Sequence, residues 1–211
     1  MSVKKQWCAS FNQDAVKIED EQVLATSFYQ LKELTLTHRS FAGDDIQISR
    51  DLIDKPDAIA LLLYDENLDA VVMVEQFRVG AIGQDSSPWL LELVAGIIEP
   101  GENIEQVAIR ECLEETGLVI DKLQHIYKFT PSPGGVSEYI DLFYASVDAA
   151  SVTQFHGLAC EGEDIKVHVI DALAAINMLE TGQINNAFSM IGLQWLALQR
   201  LKKDLNKHYE S

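Results

Sequence analysis

The chain has 211 residues, of which 47% are hydrophobic, so it can bury one good-sized core with a small appendage. Its 33 acidic residues against 16 lysines and arginines give a formal net charge of −17. Such a surface repels nucleic acid and anionic membranes, which excludes both as expected partners and leaves a small molecule.

The chain start and the cysteines indicate a compartment. No apolar run approaches the about 18 residues of a membrane-spanning helix, and no hydrophobic stretch follows Lys4 and Lys5. The cysteines Cys8, Cys112 and Cys160 are far apart and form neither a CxxC zinc pattern nor a disulfide framework. We therefore expect a cytoplasmic protein with reduced thiols.

The first half of the chain is predicted to be rich in β-strands. Residues 1–50 alternate apolar and polar side chains with a turn at 42–45, which predicts antiparallel strands. Two short apolar segments, 59–64 and 70–77, predict buried strands. Another strand is predicted over 89–94, directly before an acidic segment.

The acidic segment reads GIIEPGENIEQVAIRECLEETGL from Gly96 to Leu118. Its composition predicts a helix from about Asn103 to Thr116, which Gly117 ends. Each residue advances by about 100°, so Glu111 and Glu115 share one face. The same face is otherwise apolar: Ile104, Val107 and Ala108.

Two neighbouring carboxylates on a core-facing stripe either raise their own pKa values or bind a cation, and hard oxygen ligands suit Mg²⁺ or Mn²⁺. The alternative is a solvated acidic face with an ordinary i,i+4 pair between Arg110 and Glu114. A Ca²⁺-binding helix protein is a further alternative, but the chain has no DxDxDG loop. The spacing of the whole segment decides between these interpretations.

The second half of the chain alternates strands and helices. Strands are predicted over 123–129, 139–147 and 164–170, and helices over 171–179 and 186 to about 205. No repeat, low-complexity tract or linker divides the chain into two large domains. The pattern predicts an α/β fold in which a mixed sheet carries helices on both faces.

The spacing in the acidic segment is specific. Its fixed positions, Gly96, Glu102, Arg110-Glu111, Glu114-Glu115 and Gly117, match the signature of the Nudix hydrolase family throughout. The chain therefore resembles that family, which implies a Nudix α/β/α sandwich, here preceded by N-terminal antiparallel strands. The resemblance also implies metal-dependent hydrolysis of a nucleoside diphosphate linked to another moiety.

The resemblance further implies the metal ligands. These are the side chains of Glu111 and Glu115 and the backbone carbonyl of Ala95, which would hold two or more Mg²⁺ ions, with Mn²⁺ as an alternative. Glu114 is implied as a helper. Arg110 is implied to orient the helix glutamates rather than to touch the substrate.

A general base is expected on the segment HGLACEGEDIKVHV, because carboxylates saturated by metal are poor proton acceptors. In the branch of the family that hydrolyses ADP-ribose, a glutamate on a mobile loop activates the attacking water. The match falls on Glu161, with Glu163 second. The alternative is an acidic surface turn before the next strand.

The substrate expectation rests on a proline and on longer stretches of similarity. Pro133 lies 16 residues beyond Gly117, as in family members that act on ADP-sugars. The resemblance implies hydrolysis of ADP-ribose to AMP and ribose 5-phosphate. Alternatives are GDP-mannose, other nucleoside diphosphate sugars, dinucleoside polyphosphates or a catalytically silent ADP-ribose sensor, which usually has a damaged signature or an attached effector domain.

Substrate-binding residues carry over one by one from the resemblance. Arg78 would contact the pyrophosphate or the terminal ribose, and Glu138 with Ser132 would hold that ribose. An aromatic residue, Phe28 or Tyr29, would sandwich the adenine with Arg50. Without the family, Arg78 reads equally as a surface residue and Phe28 as a core residue.

The chain departs from the family pattern around residues 51–57, where Lys55-Pro56 appears, which leaves the register of Arg50 open. The resemblance also implies that N-terminal strands are exchanged between two subunits. We therefore expect a homodimer, with an N-terminal strand region over 1–54 and a hydrolase domain over 55–211.

Overall fold

The computed structural model describes residues 6–83, 87–158 and 162–209. Within these ranges the chain forms eleven strands and three α-helices. The strands are β1 (Val16–Thr26), β2 (Gln30–Arg39), β3 (Asp45–Asp54), β4 (Ala58–Asp65), β5 (Ala70–Phe77), β6 (Trp89–Glu92), β7 (Val94–Ile97), β8 (Gln124–Phe129), β9 (Ile140–Ser146), β10 (Phe155–His156) and β11 (Ile165–Asp171). The helices are α1 (Ile104–Thr116), α2 (Ala172–Glu180) and α3 (Ala187–Tyr209).

The chain divides into two compact units. The first contains the residues up to Lys55 together with the loop Ser132–Glu138, and the second contains Pro56–Pro131 and the chain from Tyr139 onward. The first unit is thus built from two separate stretches of sequence. The predicted division into 1–54 and 55–211 stays a prediction.

The first unit is a three-stranded antiparallel sheet in the order β1-β2-β3. The predicted turn lies between β2 and β3, where the Ser40 amide donates to the Asp44 carbonyl at 2.7 Å. The loop 132–138 runs beside β3, since the Ile53 amide donates to the Gly135 carbonyl at 2.8 Å and the Ser137 amide to the Ile53 carbonyl at 3.1 Å. The expectation of antiparallel N-terminal strands is confirmed.

The second unit is built on an eight-stranded sheet, counted within the described ranges, with the path β10-β11-β5-β4-β9-β8. Strand β6 also pairs with β5, and β7 with β4. The pairing of β4 with β9 is parallel and the others are antiparallel. The sheet is therefore mixed, as predicted.

Side chains of β4 alternate between two cores. Leu61 and Leu63 join the cluster that includes Val107 and Ala108 of α1. Leu62 joins the opposite cluster, which includes residues of α2 and α3. All five residues Ile59–Leu63 are fully buried, and burying each such leucine or isoleucine stabilises the fold by about 1.5–3 kcal/mol. The predicted α/β/α sandwich is confirmed.

The strand predicted over 89–94 is interrupted at Leu93, which separates β6 from β7. The Leu93 amide donates to the Ser189 hydroxyl at 2.9 Å instead of to a neighbouring strand. Helix α3 continues to Tyr209, beyond the predicted end near Leu205. Among the helices in the described ranges, none is both long and apolar enough to span a bilayer.

Replacing Gly192 with alanine is expected to destabilise the second unit. A Cβ there would lie 2.7 Å from Cδ1 of the fully buried Leu93. Overpacking of this kind costs about 1–3 kcal/mol, whereas the gain in helix propensity is about 1 kcal/mol at most. Urea unfolding should therefore show a lower free energy of unfolding for Gly192→Ala. Gly80→Ala is the control, because its Cβ meets no atom within 4 Å; equal stabilities of Gly192→Ala and wild type would contradict the expectation.

Candidate active site

Helix α1 has the ends that its sequence predicts. The Asn103 side chain accepts hydrogen bonds from the amides of Glu105 at 2.9 Å and Gln106 at 3.1 Å. At the other end Gly117 adopts a left-handed conformation with φ of 71°, and its amide donates to the Leu113 carbonyl. Both caps hold the helix in the register that turns Glu111 and Glu115 toward the sheet.

Glu111 and Glu115 meet strand β7. Glu115 is 2% exposed, and its Oε2 accepts a hydrogen bond from the Ala95 amide at 3.4 Å. Glu111 lies over Gly96, where an added Cβ would come within 2.2 Å of the Glu111 carboxyl carbon. The glycine therefore leaves the space that the Glu111 carboxylate occupies.

The electrostatics of Glu115 are unfavourable for a charged carboxylate. Burial raises the pKa of Glu115 well above its ordinary value, and the charges of Glu111 and Glu163 raise it further. The Ala95 amide and the charge of Arg78 lower this pKa, but they do not offset burial. Within the described ranges Glu115 has no ion-pair partner. A divalent cation would supply the missing positive charge.

The donor set fits a hard divalent cation. The carboxylates of two helix residues both lie against the backbone of β7 at Ala95 and Gly96, and Mg²⁺ prefers oxygen ligands of this kind. In the part of the chain that the structure describes, no group of three or more acidic, histidine or cysteine side chains forms a complete metal cluster. Backbone, water and substrate oxygens commonly complete the coordination of Mg²⁺.

Arg110 contacts three glutamates. Its Nη1 lies 2.8 Å from Oε1 of Glu111 and 3.4 Å from Oε2 of Glu114, and its Nη2 lies 3.6 Å from Oε2 of Glu102. The i,i+4 pair with Glu114 is thus present, but it is one part of a larger network. These contacts suit a residue that orients Glu111.

The loop before β11 brings one acidic side chain toward the helix glutamates. Glu163 raises the pKa of Glu115 by its charge, and its Oε2 accepts from the Leu158 amide at 3.4 Å. Gly157 makes this turn with φ of 98°, and a Cβ there would lie 3.0 Å from the Glu163 backbone carbonyl oxygen. Glu161, the first candidate for the base, lies outside the described residues.

Arg78 is held by an acid that the sequence patterns did not reveal. Its Nε donates to Oε2 of Glu92 at 2.6 Å. Glu92 is 3% exposed, and its pKa is raised because burial outweighs the charge of Arg78. A carboxylate inside the apolar tract PWLLELVAG was the signal that could have identified Glu92, because buried charges are rare unless paired.

The first unit carries the remaining predicted residues. Phe28 is 74% exposed and lies edge-on to Tyr29, with ring centroids 4.8 Å apart, so Phe28 is not a core residue of this unit. Arg50 lies opposite Leu34 in the β2-β3 pair, and its Nη1 donates to the Ser49 carbonyl at 2.7 Å.

Glu138 and Ser132 belong to the loop of the first unit. The Glu138 carboxylate is buried and forms an ion pair with Lys55, which the sequence analysis noted only as a departure from the family pattern. The Lys55 ammonium also lies 5.5 Å from the centre of the Tyr29 ring. The Ser132 carbonyl accepts from the amides of Gly135 and Val136. Lys55, Tyr29 and Glu138 therefore form one cluster.

Comparison with known proteins gives a consistent result. A family model described as the NUDIX domain matches residues 54–188. The ADP-ribose pyrophosphatase of Haemophilus influenzae is 44% identical over 89% of this chain and 88% of its own length. That of Escherichia coli K12 is 40% identical over 92% and 95%. The GDP-mannose pyrophosphatase of Enterobacter sp. strain 638 is 29% identical over 88% and 97%. The similarity extends well beyond the acidic helix.

Proposed function

The chain belongs to the Nudix hydrolase family, and from that membership we propose that it hydrolyses the pyrophosphate bond of ADP-ribose to AMP and ribose 5-phosphate. Hydrolases of this family generally use divalent cations such as Mg²⁺. One observation carries the proposal. The Glu115 carboxylate is nearly inaccessible and lies beside Glu111, the negative charges of Glu111 and Glu163 raise its pKa, and within the described ranges it has no ion-pair partner.

The metal-binding role is proposed for Glu111, Glu115 and the Ala95 carbonyl, with two or more ions per site and Mn²⁺ as an alternative to Mg²⁺. A bound divalent cation supplies charge neutralisation at the diphosphate and lowers the pKa of a water molecule. Arg110 keeps the Glu111 carboxylate in place through their 2.8 Å contact, and Glu114 helps through Arg110.

Substrate roles are proposed for residues of both units. The Arg78 guanidinium, 41% exposed at its side chain, presents charge to the diphosphate. Phe28 or Tyr29 and Arg50 bind the adenine, and Glu138 with Ser132 binds the terminal ribose. The exposed ring of Phe28 supports the adenine role, because a flat base stacks only on an accessible ring.

A homodimer is proposed in which the N-terminal strands are exchanged. Strand β1 is exposed along its whole length and carries Val16, Ile18 and Val23 at its surface. A long exposed edge strand that carries apolar side chains favours association with a second chain. The cytoplasmic location and the lack of nucleic-acid and membrane partners stay predictions from composition and charge.

Glu161 is proposed as the general base and Glu163 as the second candidate. Glu161→Gln is expected to lower kcat by about 10²-fold or more, because the attacking water loses its proton acceptor, while Mn²⁺ affinity stays unchanged. Glu163→Gln is the matched comparison, since its charge acts on Glu115. Turnover and Mn²⁺ titrations of both variants check this. Wild-type turnover in Glu161→Gln together with a large loss in Glu163→Gln would reassign the base.

The function is tested by a substrate panel at fixed Mg²⁺. We expect hydrolysis of ADP-ribose to AMP that stops on addition of EDTA, with a kcat/KM above that for GDP-mannose, other nucleoside diphosphate sugars and dinucleoside polyphosphates. The relatives named GDP-mannose pyrophosphatases make GDP-mannose the second candidate. A kcat/KM for GDP-mannose more than about tenfold higher, or about 1.4 kcal/mol in transition-state binding, would overturn the substrate. Binding of ADP-ribose without metal-dependent turnover of any compound would indicate a sensor.

A further inference from the structure

The Arg78 guanidinium is bound by Glu92 on its Nε side. Its Nε donates to Oε2 of Glu92 at 2.6 Å, and in the described ranges no acceptor is bonded to either Nη atom. A guanidinium whose Nε donates to one acceptor still has its Nη1 and Nη2 donors available for a second, bidentate contact. The charge of Arg78 also acts on the Glu115 carboxylate, so the guanidinium is near the candidate metal ligands.

Helix α3 and the residue before it, Asn186, bind the backbone on either side of Glu92. The Asn186 side-chain amide donates to the Leu91 carbonyl at 2.9 Å, and the Ser189 hydroxyl accepts from the Leu93 amide at 2.9 Å. Ser189 is fully buried. Gly192, one turn further along α3, lets the helix backbone approach Leu93 closely. The side chains of Asn186, which precedes α3, and of Ser189 on α3 thus fix the end of β6, where Glu92 lies.

Burying a carboxylate on an apolar strand costs hydration free energy, whereas an apolar residue of similar size would fill the same space without that cost. The Glu92 carboxylate is almost inaccessible, and its ion-pair partner is partly exposed. Its one side-chain partner within the described ranges is Arg78. The contact therefore holds a partly exposed cation from the buried side, which is the arrangement that orients a side chain toward a ligand.

We propose that Glu92 is a positioning residue for the diphosphate: it fixes the Arg78 guanidinium through Nε so that the Nη edge grips phosphate oxygens, and Asn186 and Ser189 hold Glu92 in place. The inference rests on the proposed function, because it assigns the same site a nucleoside diphosphate substrate. It adds a residue that acts through Arg78 and does not itself contact the substrate.

The test is a double-mutant cycle with Glu92→Gln, Arg78→Ala and the double variant. If Glu92 acts through Arg78, Glu92→Gln lowers kcat/KM for ADP-ribose by about tenfold or more in the wild-type background and changes it less than about twofold in the Arg78→Ala background. Equal fold-losses in both backgrounds, or an unchanged kcat/KM in the single variant, would overturn the proposal. Glutamine keeps the size of the side chain, so Glu92→Gln should fold. Thermal unfolding of each variant checks this.

A second measurement keeps the inference separate from the proposed function. Binding of inorganic pyrophosphate to the same four proteins is measured by titration calorimetry with Mg²⁺ present, independently of turnover. The affinity for pyrophosphate should be lower in Glu92→Gln than in wild type. It should be the same in the double variant as in Arg78→Ala. If wild type does not hydrolyse ADP-ribose, the proposed function fails, and the calorimetric cycle still decides the role of Glu92. Asp69→Asn, which breaks the ion pair with Arg200 on α3, is the control and should bind pyrophosphate as wild type does.

Discussion

Glu115→Gln is expected to lower kcat/KM for ADP-ribose by more than about 10²-fold. Loss of groups that merely support a metal ligand costs about 10–100-fold in affinity or activity, and Glu115 is proposed as a direct ligand. Steady-state kinetics and Mn²⁺ titration measure the effect. Glu105→Gln on an exposed turn of the same helix is the control and should keep wild-type activity. A Glu115→Gln enzyme with wild-type kcat/KM and metal affinity would refute the proposed metal site.

The same substitution is expected to stabilise the metal-free protein at neutral pH. The folded-state pKa of Glu115 is raised above its ordinary value of 4.5, chiefly by burial, so folding favours the protonated form. The contribution of this carboxyl to stability is therefore present below pH about 4.5 and is lost as pH rises toward the raised folded pKa.

Glutamine mimics the protonated acid and removes that loss. The free energy of unfolding is measured with urea in EDTA for both proteins at pH 5 and pH 8. The value for wild type minus the value for Glu115→Gln should be lower at pH 8 than at pH 5. Adding Mg²⁺ should stabilise wild type and leave the variant unchanged, since a ligand that binds only the folded state raises its stability. A constant difference between the two proteins from pH 5 to pH 8 would contradict this assignment.

Gly96→Ala is expected to lower kcat/KM by about 10²-fold while the protein still folds. The added Cβ would lie 2.2 Å from the Glu111 carboxyl carbon, so the carboxylate has to move away from its position over β7. The displaced group is the end of a flexible side chain, which limits the effect on stability, whereas a displacement of about 1 Å at a reacting centre can cost about 10²-fold in rate.

A double-mutant cycle separates this steric effect from general damage. Glu111→Ala removes the side-chain atoms that an added Cβ at position 96 would meet. Gly96→Ala should therefore lower Mn²⁺ affinity in the wild-type background and change it little in the Glu111→Ala background. Unfolding curves of all four proteins check the fold. Wild-type kcat/KM in Gly96→Ala would show that the position of the Glu111 carboxylate over Gly96 is unimportant.

Local patterns were enough to predict the helix that carries the candidate metal ligands. Asn103 and Gly117 end α1 through caps made by residues two to four positions away, and such short-range geometry is readable from sequence. The buried strands β4 and β5 were predicted for a similar reason, because continuous apolar runs of about this length fill the centre of a sheet.

Long-range contacts were not predictable in this way. Arg78 and Glu92 are 14 residues apart, Lys55 and Glu138 are 83 apart, and Leu91 and Asn186 are 95 apart. Periodicity describes one element at a time and does not say which side chains of different elements meet. For the same reason the strand predicted over 89–94 was not divided, since the interruption at Leu93 depends on a hydroxyl of α3.

The sequence by itself determined the class of fold, the ends of α1 and the two carboxylates one turn apart on its inward face, because these follow from composition, caps and helical period. Only the tertiary structure decided that Glu115 is nearly inaccessible beside Ala95, that Gly96 makes room for Glu111, and that Arg78 is held by a buried acid. Burial and pairing arise when separate elements pack together, and the charges of the site take their pKa values from that packing.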